Sequence, residues 1–164
     1  MFEELNKDMK YLNEHMVVIG ILAEDEDRTA GKGVRIIDYA VWNEIGTKYI
    51  PPRPFFRKTI EENQTRITSY GNVRLKKVIR GELSPENALK QVGEYVRGLI
   101  ITTIATANSW AEPNADSTIK IKTSNGNANN TKILIDDKYL IKSIRYKIIN
   151  LAGVAEYVSD FKDV

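Results

Sequence analysis

The side chains able to do chemistry in this sequence are few and poorly grouped. Asp136 and Asp137 form its best carboxylate pair. Adjacent carboxylates hold a divalent ion when further ligands join them, and metal-assisted hydrolysis would be the matching reaction. No companion ligand stands at a recognisable spacing, so the pair reads as a cap on the turn that follows it. A second acidic group, Glu24-Asp25-Glu26-Asp27, precedes Gly31-Lys32-Gly33. It lacks the glycine and ligand spacing of a calcium loop and reads as a solvated loop. His15 is the only histidine and cysteine is absent. One chain therefore cannot build a multi-histidine metal site, a disulfide or a thiolate nucleophile. His15 falls at a helix-to-strand junction and reads as ordinary surface. Glycine-rich phosphate loops, nucleophile elbows and zinc spacings are all missing. The expectation is a protein that is not an enzyme and takes no cofactor or metal.

A basic group remains. Arg66, Arg74, Lys76, Lys77 and Arg80 crowd one region. They could contact phosphates without sequence preference, or simply form a solvated helix face. Tyr70 is the one aromatic among them, so base stacking is not indicated. The whole chain carries Lys+Arg 24 against Asp+Glu 22, a net +2. That balance is too small to argue for nucleic acid or a membrane surface.

At 164 residues, with 42% hydrophobic and 28% charged side chains, the sequence fits one globular domain with a sizeable core. No apolar run approaches the ~18 residues of a membrane-spanning helix, and the acidic start is unlike a secretory signal.

The elements follow from spacing. Residues 2–14 place Phe2, Leu5, Met9 and Leu12 on one helix face. Residues 16–23 are apolar and rich in β-branched side chains, as in a buried strand. Helical spacing over 34–45 stops at Gly46, and Pro51-Pro52 force extended geometry before them. A helix from Pro54 turns Phe55, Phe56, Ile60, Ile67 and Tyr70 inward, with Gly71 as its kink or interruption. Ser84-Pro85-Glu86 is a strong helix start, and the apolar stripe after it holds to Asn108. That predicts a helix over 84–108 of roughly 36 Å, the longest element.

Beyond it, 117–122 alternates like a strand, with a single helical turn as the other option. Residues 123–131 are Asn-, Gly- and Ser-rich. Mobile loops are expected near 24–33 and 123–131. Residues 144–148 and 154–158 alternate around a turn, as in an antiparallel hairpin. The expected fold is α+β: a small, mainly antiparallel sheet packed on one face by two or three helices. Pairing of the first strand with the terminal hairpin would tie the ends together.

The segment 40–57 organises the rest. It holds Trp42, three of the 5 prolines and two of the 4 phenylalanines, and is built to set an angle between two helices. It runs Ala40, Trp42-Asn43-Glu44-Ile45-Gly46-Thr47, then Ile50-Pro51-Pro52-Arg53-Pro54-Phe55-Phe56-Arg57. This resembles the motif of the tail-completion or neck proteins of tailed phages and prophages, also described as virion morphogenesis or minor tail proteins. Ile45 stands where that motif has an aromatic.

Trp110 and Pro113 are similar to the family's turn after a long helix, and Ser117-Thr118-Ile119 with Lys122 to a second motif. Leu134-Ile135-Asp136, Leu140 and Ser143-Ile144 resemble a third, in which Ile133 replaces a proline and Lys138 a glycine. The resemblance spans about 17–157. It implies a structural virion protein of the neck, in the virion at the head-proximal tail end and in host cytoplasm during assembly. Such proteins form rings, often hexamers, that complete the tail. They dock to the tail tube or tail terminator and to the head–tail connector, with DNA passing through the channel and no membrane involved.

In that setting Trp42, Tyr49, Arg53, Arg57, Lys120 and Lys122 become candidate subunit or partner contacts, since aromatics and arginine dominate such interfaces. For Trp42 and Tyr49, core packing is the competing reading, and for Phe55 and Phe56 it is the preferred one. Arg53 and Arg57 would pair with Glu44 or a neighbouring subunit, and Lys120–Lys122 with 123–131 would be a docking arm. The alternative function is a small basic nucleic-acid-binding module using 66–80.

Overall fold

The computed structural model describes residues 2–25, 28–30, 33–135 and 138–161. In chain order these form α1 (Phe2–Glu14), β1 (His15–Gly20), a 3-10 turn (Ala23–Asp25), β2 (Thr29–Ala30), β3 (Val34–Arg35), α2 (Ile36–Ile45) and α3 (Phe55–Ile79). There follow α4 (Pro85–Ala105), a second 3-10 turn (Ala107–Ser109), α5 (Asp116–Ser124), α6 (Tyr139–Ser143), β4 (Arg145–Asn150) and β5 (Ala155–Val158). The class is α+β.

The main sheet has the order β1-β4-β5 and is antiparallel throughout. His15 pairs with Asn150 at one end of β1 and Gly20 with Arg145 at the other, so the first strand does meet the terminal hairpin. A bulge lies between Ile148 and Ile149. Helix α4 covers one face. Gly93 is needed there, because a Cβ at that position would lie 2.4 Å from the Tyr146 ring. Tyr146 and Ile148 are buried under it, while Met16 on the opposite face is 47% exposed. Helix α3 lies along α4, and Phe56 in its first turn reaches the Gly20 end of β1.

The main hydrophobic cluster joins Ile36 and Ala40, Phe55, the α4 stripe Val96, Ile100 and Ile104, and the run Ile133-Leu134-Ile135 with Leu140, Ile141 and Ile144. The ends are drawn together by an ion pair. Arg145 Nη1 donates to both oxygens of Asp25 at 3.1 and 2.9 Å, and Arg145 Nε donates to Ser159 O at 2.7 Å. Both groups are nearly buried, where such a pair is screened little by salt.

Several expectations need correction. The longest helix is α3, not 84–108; α4 ends at Ala105. Gly71 does not interrupt α3. It keeps its N–H and helical backbone, and the ~1 kcal/mol glycine penalty is offset by packing around it: Tyr70 stacks on Tyr95 at 4.0 Å and Arg74 sits 3.6 Å over Tyr70. Pro54 stands one residue before α3 rather than inside its first turn, and Ile60 is 42% exposed rather than inward.

Residues 117–122 are helical, within α5. The alternation misleads because Ile121 faces solvent, while Asp116 in the first turn and Lys122 in the last suit the helix dipole. The acidic loop holds a 3-10 turn and the small β2–β3 hairpin. Glu26, Asp27, Gly31 and Lys32 lie outside the described residues, as do Asp136 and Asp137, on which the metal and capping readings fell.

His15 is not ordinary surface. Its side chain is 8% exposed, stacked on Tyr11 at 3.7 Å. Its Nδ1 meets Tyr11 O at 2.7 Å and its Nε2 meets Glu156 Oε2 at 2.9 Å. It pins the end of α1 to β5.

Candidate interaction surface

The segment joining α2 to α3 is a locked corner. Gly46 ends α2 at φ 79, and its N–H bonds Trp42 O. A Cβ there would also lie 3.0 Å from Pro52 N, so both conformation and space require glycine. Thr47 Oγ1 accepts from the N–H groups of Tyr49 and Ile50 at 3.2 and 3.0 Å, and Thr47 N–H donates to Ile50 O. These bonds leave Pro51 and Pro52 crossing back over the end of α2.

Arg53 is the keystone of that corner. It is 7% exposed. Its Nε donates to Glu112 O at 3.0 Å, its Nη2 to Pro113 O at 3.1 Å and its Nη1 to Asn43 Oδ1 at 3.3 Å. Asn43, only 1% exposed, is itself held by donating from Nδ2 to Tyr39 O at 2.8 Å. One guanidinium thus fastens α2, the proline segment and the turn before α5. Burial pushes the Arg53 guanidinium below its ordinary value, with Tyr39 and Glu112 pulling it back up; it stays a cation, because arginine starts so high.

Glu44 has a different task from the predicted pairing with Arg53 or Arg57. Its Oε2 and Oε1 accept from the backbone N–H groups of Phe56 and Arg57 at 2.9 and 3.0 Å. A carboxylate of α2 caps the positive end of α3. Arg53 is turned inward and the Arg57 side chain is exposed.

The six candidate contact residues separate accordingly. Tyr49 is 85% exposed and Trp42 40%; neither belongs to the core. Arg57 and Lys120 are exposed. Arg53 is committed within its own chain. Lys122 is also tied down, its Nζ donating to Ile135 O at 2.7 Å and Lys132 O at 3.0 Å. It anchors 123–131 back onto the body, so Lys122 is no free docking arm. Phe55 is buried at 2% and Phe56 half-buried, in line with the core reading for both.

Composition concealed a further surface. Helix α2 is apolar on both sides. Ile36, Ala40 and Asn43 face the core, while Val41 is 44% and Ile45 65% exposed beside Trp42. Its polar residues are occupied: Asn43 and Glu44 as above, and Asp38 by Arg35 at 2.8 and 2.9 Å. Next to this bare face runs a largely apolar groove of about 160 Å³ lined by Ile21, Ile37, Val41, Phe55, Phe56 and Glu44. The signal was in the sequence, since IIDYAVWNEI has too few polar residues for a solvated face.

In the basic region Arg66, Lys76, Lys77 and Arg80 are exposed, and Arg74 is half-buried. Arg74 is held over Tyr70 and donates to Gln91 at 3.0 Å. Lys76 and Lys77 stand in the last turn of α3, where cations favour the helix end. Among the described residues, no group of three or more His, Asp or Glu side chains could hold a metal ion, and no helix is long and apolar enough to cross a membrane. No protein-family model matches the chain, and no curated protein or solved structure shows significant similarity to it.

Proposed function

We propose that this chain is a structural virion protein of a phage-type neck. It forms a homo-oligomeric ring, six-fold in the usual case, that completes the tail and joins it to the head connector. It is not an enzyme and uses no cofactor. Its partners are copies of itself, the tail tube or terminator and the connector, with DNA crossing the channel without sequence preference.

One observation carries the reading. The residues that bear the motif resemblance meet at one junction: Glu44 caps α3, Gly46 admits Pro52, and Arg53 reaches the carbonyls of Glu112 and Pro113. Beside that stiff corner, Trp42, Ile45 and Tyr49 are bare. A rigid scaffold carrying uncovered aromatics suits a subunit that is finished by its neighbours. Lys138 adds support. It adopts φ 61, the left-handed conformation that a glycine at that place in the resembling motif would take freely.

Light scattering on the purified chain, alone and mixed with tail tubes, tests the proposal alongside negative-stain imaging. Rings, alone or on tube ends, are the expected result. A chain that stays monomeric and ignores tubes and connectors overturns it. Binding to duplex DNA that falls steeply with salt, in place of such rings, would favour the basic nucleic-acid module.

A further inference from the structure

Both ring nitrogens of His15 face oxygens that can only accept. Nδ1 lies 2.7 Å from the Tyr11 carbonyl oxygen and Nε2 lies 2.9 Å from Glu156 Oε2. A carbonyl has no proton to give, and an ionised carboxylate has none either. A neutral imidazole carries one N–H, so it would leave one of these contacts as two facing lone pairs. Only the imidazolium, with an N–H on each nitrogen, satisfies both at once.

The surroundings suit a cation there. Tyr11 O is one of the last carbonyls of α1, at the negative end of the helix, and α1 has no basic residue in its last turn. The Tyr11 ring stacks on the imidazole at 3.7 Å and offers it a π face. The charged neighbours come from three elements. On α1, Glu14 precedes the histidine and is drawn to Lys10 at 3.8 Å. On β5, Glu156 is steadied by Asn150 of β4, whose Nδ2 donates to its other oxygen at 3.3 Å. On α4, Glu86 and Lys90 act on Tyr11 and pair with each other at 2.6 Å. The imidazole side chain is 8% exposed, so water has little access to a bond that opens. Helix α1 itself has no fully buried side chain, and elements so lightly packed open most easily.

We propose that His15 is a proton-operated latch on α1. While its ring is protonated, it bonds the end of α1 to β5. When one proton leaves, the remaining N–H stays with the charge of Glu156, the stronger acceptor, and the bond to Tyr11 O opens. Helix α1 then loses its C-terminal cap and loosens from the sheet. The geometry sets the sign. The latch is closed on the acid side and opens as pH rises through the titration of the ring, within the range of about pH 5 to 8 where histidine changes charge. Carboxylates stay ionised across that range, so the histidine is the switch. The latch is complete within one chain and stands apart from the ring reading.

His15 is the only histidine, so its ring signals are unambiguous. Nitrogen NMR on the full chain follows both ring nitrogens, while amide exchange, corrected for its intrinsic pH dependence, follows α1. The expected result is two ring N–H groups on the acid side. Loss of one should lower protection in the last turn of α1 about fivefold, the worth of one hydrogen bond, with α4 unchanged. Glu156→Gln, at an exposed position, is the discriminating variant. Its amide can donate to a neutral ring as well as accept from a charged one, so the step should vanish and α1 stay protected throughout. His15→Phe, checked for native circular dichroism, keeps the stacking without the bonds and should leave α1 loose at every pH. A ring that titrates while α1 protection stays level overturns the latch. So does a step that survives in Glu156→Gln or His15→Phe, or a ring that is still neutral on the acid side.

Discussion

At the scale of single residues, Arg53 has the largest consequences. Its charge is buried, and its three hydrogen bonds tie Asn43 of α2 to the adjacent carbonyls of Glu112 and Pro113 before α5. Arg53→Met should cost about 2–4 kcal/mol in chemical denaturation, because buried acceptors lose their donors. Arg53→Lys should recover only part of that, since an ammonium cannot fork to three sites. A loss below about 1 kcal/mol for both would show that the corner holds without it.

Lys138 offers the opposite sign. Its φ of 61 is costly for a side chain with a Cβ, so Lys138→Gly should raise stability by about 0.5–1 kcal/mol. An unchanged or lowered melting temperature would count against that. Tyr146 gives a pH dependence. Burial raises its phenol well above the ordinary value, assisted by a hydrogen bond with Tyr157 and the charge of Glu94, while Arg97 opposes. The folded chain holds that proton more tightly than the unfolded one. Its contribution is therefore complete below about pH 10 and lost as pH rises further. Stability should fall on the alkaline side, with a smaller slope in Tyr146→Phe.

Among elements, the α2–α3 corner shows how one helix can depend on another. Helix α3 has no side-chain cap from its own Pro54, and Glu44 fills that role across the turn. Glu44→Ala should destabilise by about 1–2 kcal/mol and raise amide exchange most at Phe56 and Arg57; uniform exchange would argue against capping. The glutamate's task could not be read from spacing, because its partners are backbone groups brought close by the proline turn. What was legible had local causes: the Ser84-Pro85 start, where Ser84 Oγ accepts from Asn87 N–H at 3.3 Å, the Gly46 stop, and the alternation of 144–148 and 154–158.

The misread elements had tertiary causes. Gly71 survives inside α3 because the neighbouring Tyr70 stacks on Tyr95 and is covered by Arg74, and Ile121 points to solvent despite alternating with polar residues. His15 looked isolated in the sequence, and its partner Glu156 comes from the far end of the chain. For the candidate surface, exposure of Trp42 depended on which face of α2 the core would take, which periodicity leaves open in a helix apolar on both sides, and that of Tyr49 on the fold of the turn after Gly46.

For the whole molecule, the arrangement is a rigid body with a bare helix face at one end of its sheet and the His15–Glu156 contact at the other. The antiparallel closure of β1 on β4 sets that polarity, and the Arg145–Asp25 pair secures it near the Gly20 end. Such an arrangement suits the proposed collar between tube and connector. The most direct measurement is an electron cryo-microscopy map of the particle that carries this chain. The expected map shows a closed ring of copies between tail tube and connector, with residues 49–57 packed on their own helices and the α2 face covered by the next copy. A map in which that segment stands free in solvent, touching neither its own helices nor a neighbour, would contradict it.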